Sequence, residues 1–189
     1  MVTLRPPTPQ APPSDIYAAF AGEMNQESTQ RLFQGLAMAV HNRASRFHLL
    51  FNCNGGVIGH GIAVYNFFRT LPIELILYNG GTISSAGVTG YLGAKKRKVS
   101  THAFFMIHHA SLGAVGEAPA GVLRSFADSL EMADRQNEAI LRSHLKMPDE
   151  KWQYFRNHDL SITAEDAVNF GIADEIADFT PPAGMLYYF

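Results

Sequence analysis

Residues 73–92 read Ile73-Glu74-Leu75-Ile76-Leu77-Tyr78-Asn79-Gly80-Gly81-Thr82-Ile83-Ser84-Ser85-Ala86-Gly87-Val88-Thr89-Gly90-Tyr91-Leu92. Ile73 to Tyr78 is a short apolar run with the length of a buried strand. Gly80-Gly81 breaks it, and Ser84 to Leu92 has the composition of a helix start. A strand leading through glycines into a helix is half of a βαβ unit. Upstream, Phe47 to Phe51 is strand-like, and Gly55-Gly56 turns the chain into a helix carrying Ile62, Val64, Tyr65, Phe67 and Phe68. Ile16 to Phe20 starts the series, followed by a helix with Asn25 as N-cap and Leu32, Phe33, Leu36, Ala37 and Val40 at helical spacing. Ala103 to Ile107 adds a strand downstream. The alternation predicts an α/β fold of repeated βαβ units around a mostly parallel sheet.

Two segments stand apart from this alternation. Residues 1–15 carry Pro6, Pro7, Pro9, Pro12 and Pro13, which excludes a helix and predicts a draped arm. Ala118 to Leu145 is the longest helix expected. Leu123, Phe126, Leu130, Ala133, Asn137, Ile140 and His144 recur at intervals of about three and four residues, as in helix pairing. Pattern alone favours an ordinary core-facing helix over an element projecting onto another subunit. The folded domain is expected over 16–178, with an apolar tail over 179–189 that either packs on its own domain or docks to a neighbour.

Composition narrows the function classes. The 189 residues carry 15 Lys+Arg against 17 Asp+Glu, a net charge of -2, and no basic stripe suited to nucleic acid. Cys53 is the single cysteine, so no disulfide forms within the chain. No stretch has the ~20 apolar residues of a membrane span. The expectation is a cytoplasmic protein. No His, Cys, Asp and Glu grouping has zinc spacing, and no cofactor or metal is expected.

Chemistry points to three places. Ser85 sits where a strand meets a helix, with its hydroxyl at the positive end of the helix dipole. The backbone N–H of Ala86 could serve an oxyanion, with a second donor from the Gly55-Gly56 turn. His108 closes the run Phe104-Phe105-Met106-Ile107, and a histidine can take a serine proton near neutrality. Asp159 lies in a loop ahead of Thr163, the N-cap of a short helix ending near Gly171, where it could orient an imidazole ring. Each has a plainer alternative: Ser85 or Ser84 as a helix cap, His108 as a strand-end histidine, Asp159 as a turn residue.

Taken in order, the motifs do more. Phe51-Asn52-Cys53-Asn54-Gly55-Gly56-Val57, Ser85-Ala86-Gly87, Gly93-Ala94-Lys95, Met106-Ile107-His108 and Thr163-Ala164-Glu165-Asp166-Ala167-Val168-Asn169-Phe170-Gly171-Ile172 together resemble the proteolytic subunit of the Clp protease, in the ClpP/crotonase superfamily, from about Ile16 to Ile176. The resemblance implies a serine endopeptidase with Ser85 as nucleophile, His108 as base, Asp159 as acid, and Gly56 and Ala86 as oxyanion donors. It implies a substrate-pairing strand near Leu112, Gly113 and Ala114, and a strand-helix handle near 110–145 joining two heptameric rings. The implied partners are peptide or unfolded protein, further copies of the chain, and an AAA+ unfoldase. Against the family pattern, Ser-Pro-Gly-Gly becomes Cys53-Asn54-Gly55-Gly56, His-Gln-Pro becomes His108-His109-Ala110, and Ser84 stands where the family usually has alanine. The proline-rich arm replaces the family's pore-lining segment. Three other functions compete: an acyl-CoA enzyme of the crotonase type, a Ser/Lys peptidase using Lys95 or Lys96, and a catalytically silent ring-forming scaffold.

Overall fold

In the computed structural model, residues 15–111 and 116–188 are described. Leu112, Gly113 and Ala114, the expected substrate-pairing residues, lie outside them, as does the proline-rich arm up to Ser14.

The mostly parallel α/β sheet is present. Strands β1 (Asp15–Met24), β2 (Arg46–Gly56), β3 (Glu74–Asn79), β4 (Thr82–Ser84), β5 (Lys96–Val99), β6 (Phe104–Ile107), β7 (Leu160–Thr163), β8 (Glu175–Ile176) and β9 (Leu186–Tyr188) form one sheet. The path runs β7-β6-β4-β2-β3-β5-β8, with β1 beside β2 and β9 beside β1. Among the described residues only β6 and β7 pair antiparallel.

Helix α1 (Gln26–His41) begins as expected at Asn25, whose side chain accepts from the Ser28 N–H at 3.0 Å in a capping box. Helices α2 (Ile58–Thr70) and α3 (Ala86–Tyr91) follow the two glycine turns. Between sheet and helices sit Phe20, Phe51, Phe68, Phe105, Leu49 and Leu77, all essentially without solvent contact. Each such side chain contributes about 1.5–3 kcal/mol by leaving water.

Several elements differ from the pattern-based expectation. Thr82–Ser84 is a strand, so the helix expected from Ser84 begins two residues later at Ala86, because three residues pair with β6 before the chain turns. The strand β5 reads Lys-Arg-Lys-Val, with no alternation to announce it. It forms because β3 offers a parallel edge, and two of its three charges are met by Lys98–Glu175 at 2.9 Å and Arg97–Asp174 at 3.4 Å. Helix α5 (Asp149–Phe155) has no counterpart in the pattern-based reading, and strand β7 occupies the stretch read as loop ahead of the Thr163 cap.

The long helix α4 (Ala120–His144) buries only Asn137 and Leu141. Val122, Leu123, Phe126 and Met132 are 40–56% exposed, so its first half is not core-facing. The tail packs on its own domain: Leu186–Tyr188 extends the sheet beyond β1, with Tyr187 and Tyr188 exposed.

Two histidines tie the fold to pH. His48 lies between Tyr17 and Tyr78, with Nδ1 2.9 Å from the Tyr78 hydroxyl. His144, near the end of α4, places Nε2 3.0 Å from the Tyr65 hydroxyl and Nδ1 3.4 Å from Arg97. Burial lowers both pKa values. Arg97 and Arg69 lower that of His144 further, while Asp15 partly opposes the shift at His48. Below the ordinary value of about 6.5, the unfolded chain therefore takes up protons that the folded chain resists. Stability is fully present above that value and falls as pH drops toward the lowered folded values. The urea midpoint should decrease from about pH 7.5 to about pH 5.5. The His48→Gln/His144→Gln double variant should show a flatter profile.

Candidate active site

The second glycine turn builds the site. Asn79, fully buried, donates from Nδ2 to the Phe104 carbonyl at 2.9 Å and accepts from the Gly81 N–H at 3.0 Å. It locks the turn between β3 and β4 to the start of β6. The chain then passes through Ser84, 6% exposed within β4, to Ser85.

Ser85 has φ 54° and ψ -129°, a conformation that costs a non-glycine residue of order 1–3 kcal/mol. It occupies the N-cap position of α3 but makes no side-chain cap hydrogen bond. Its N–H donates to the Met106 carbonyl at 2.7 Å, which ties it to the strand that leads into His108. The first glycine turn presses against it from the other side. Gly55 has φ +94°, and a Cβ built there would lie 2.6 Å from Ser85 Cβ.

Ser85, His108 and Gly56 line one cavity of about 500 Å³. Its remaining walls include Met24, Ile58, Phe126, Leu130 and Ala133. The α4 residues thus roof a mostly apolar chamber beside the serine. Ala86, the other oxyanion candidate, is buried immediately after Ser85.

Asp159 is exposed and outside the cavity lining. The antiparallel ladder of β6 and β7 ends at Ile107↔Leu160. His108 follows and Asp159 precedes that last pair, so the two lie at the same end of the two strands. Among the described residues no hydrogen bond joins Ser85 Oγ, His108 and Asp159.

His109, the next residue, stacks on Phe155 with ring centroids 4.5 Å apart. Burial pushes the Cys53 thiol up to about 11, which suits a packing residue under Gly87 better than a nucleophile. No group of metal-binding side chains occurs among the described residues. No helix among them is long and apolar enough to cross a membrane.

The family model described as Clp protease matches residues 15–180. The chain belongs to the Clp protease family. It is 27% identical over 158 residues to the ATP-dependent Clp protease proteolytic subunit 3 of Rhodococcus jostii, covering 82% of this chain and 77% of that one. With the proteolytic subunit of Deinococcus radiodurans the identity is 24% over 163 residues, covering 82% and 76%. A solved structure of a ClpP1 point mutant from Listeria monocytogenes superposes with a TM-score of 0.72 at 20% identity, over 87% of this chain and 91% of that one. That likeness establishes the fold, including the sheet on which the Clp-like turns are mounted.

Pattern reading offers Ser85, Ala86, His108, Asp159 and the Gly55-Gly56 turn as candidates, of which Ser85, His108 and Gly56 line the chamber and Asp159 does not. It missed the apolar roof from α4 and the role of Asn79. The roof had a trace in the sequence, since Phe126, Leu130 and Ala133 belong to the helical seam. Their facing toward Ser85 depends on how α4 packs.

Proposed function

We propose that this Clp-family chain is a cytoplasmic serine endopeptidase acting on unfolded protein or peptide within a ring of like subunits. Ser85 attacks the scissile carbonyl, and His108 takes its proton and delivers it to the leaving amine. Asp159 orients the imidazole and stabilises its cation, and the Gly56 and Ala86 N–H groups receive the oxyanion. Water then hydrolyses the acyl-enzyme.

The observation that carries this reading is the pairing of a strained, uncapped Ser85 with His108 in one apolar chamber. A serine held only to cap α3 would bond an N–H of the first turn, and Ser85 does not. The hydrogen bonds of the triad are left to form on assembly or substrate binding, as such contacts often tighten only in the complex. The exposed apolar half of α4 supports a role as the handle between rings. The chamber walls favour substrates with an apolar side chain next to the cleaved bond.

The test is intact-mass labelling with a fluorophosphonate. One adduct is expected on wild type, kept in Ser84→Ala and lost in Ser85→Ala. Wild-type protein that assembles yet takes no adduct would sink this reading in favour of a silent scaffold.

A further inference from the structure

The Clp-like motif His-Gln-Pro is His108-His109-Ala110 in this chain. Proline has no backbone N–H, whereas Ala110 has one, and it donates to Asp134 Oδ1 of α4 at 2.6 Å. The other carboxylate oxygen of Asp134 lies 3.5 Å from His109 Nδ1. Asp134 therefore grips the two residues immediately following His108. Three residues on, along the same face of α4, the Asn137 side-chain carbonyl accepts a hydrogen bond from the Thr89 hydroxyl. Thr89 is completely buried and Asn137 nearly so. Thr89 lies in α3, all of whose residues are buried and whose N-cap is Ser85. A buried polar pair of this kind is costly to leave unmade, so it holds its two elements in register.

We infer that Asp134 is a positioning residue. It fixes the segment carrying His108 to α4, while Asn137 fixes α4 to the helix that starts at Ser85. α4 thereby adds a second tie between His108 and Ser85, beside the direct bond from the Ser85 N–H to the Met106 carbonyl. Neither Asp134 nor Asn137 lines the chamber, so both act through the residues they hold. This role rests on the peptidase reading above. It belongs to this chain's own sequence, because a proline at position 110 would have no N–H for Asp134 to accept.

The test uses the assembled full-length chain, with three readouts: the rate of fluorophosphonate labelling at Ser85, deuterium exchange at the Ala110 amide, and the thermal midpoint. Asp134→Ala should slow labelling roughly 10- to 100-fold, the scale expected of a misplaced catalytic pair. Exchange at Ala110 should quicken, and the midpoint should stay within about 4 °C of wild type. Asp134→Asn keeps an acceptor and should restore most of the rate. Ala110→Pro removes the donor and should slow labelling as Asp134→Ala does. Combining the two should cost little more than Asp134→Ala alone, because that change already deletes the Ala110 bond.

Wild-type labelling in Asp134→Ala, or full additivity of the two changes, would overturn the positioning role while leaving the peptidase reading intact. Absence of any adduct on wild type would overturn the peptidase reading, and the positioning role with it.

Discussion

Ser85→Ala is expected to lower peptide hydrolysis on the order of 10^6-fold, the scale seen when the nucleophile of a Ser-His-Asp machine is removed. The loss should come with no loss of assembly or stability. Ser85 Oγ makes no hydrogen bond among the described residues, and its N–H bond to Met106 is a backbone contact that alanine retains. Alanine also keeps the φ of 54° at about the same backbone cost. Hydrolysis of a peptide ending in a fluorogenic amide and the mass of the assembled particle are the two measurements. Ser84→Ala makes the contrast. Ser84 is a buried residue of β4 opposite Met106, and its replacement should leave turnover within a few-fold of wild type. Equal losses in the two variants would mean that the junction matters as a structure and that Ser85 is not the nucleophile.

Gly55→Ala should also be damaging, though less so, for a geometric reason. Gly55 has φ +94°, and an added Cβ would meet Ser85 Cβ at 2.6 Å, the Ser84 carbonyl oxygen at 3.0 Å and Ser85 Oγ at 3.2 Å. The first distance is shorter than carbon atoms tolerate, so one turn must retreat. Ser85 is the side already under backbone strain and will yield more readily. We expect labelling by the fluorophosphonate to fall at least about 100-fold. Stability should drop by about 1–3 kcal/mol, read as a lower urea midpoint. Gly121→Ala is the control, since nothing lies within 4 Å of its added Cβ. It should leave both readings unchanged or slightly raise stability, because alanine is the better helix former.

Together these variants separate chemistry from framework. The Ser85 change removes an atom from an intact turn. The Gly55 change keeps the atom and moves the turn.

Local signals in the sequence were enough for the βαβ order, the parallel sheet and the two glycine turns. Strands such as Glu74–Asn79 carry an unbroken apolar run, here Leu75 to Tyr78, because both faces are covered, and Asn25 announces α1 through its own capping chemistry. Ser85, Ala86, His108, Asp159 and the Gly55-Gly56 turn stand out as candidates because each sits at an element junction, while their catalytic roles, and Gly56 as the donor, come from the Clp-like resemblance. Strands β5 and β7 were not legible. The first is a run of charges without alternation, and the second alternates over only four residues, directly before a helix cap. Each exists because a neighbouring edge supplies hydrogen bonds.

Tertiary structure alone decided which of two adjacent serines faces a chamber and how far α4 leaves the core. It also decided that Asp134 reaches the N–H of Ala110 across 24 residues of chain. The sequence determines hydrophobic period and backbone freedom, which act over a few residues. The direction of a side chain at a junction, and its partner from a distant helix, depend on packing that no local period encodes.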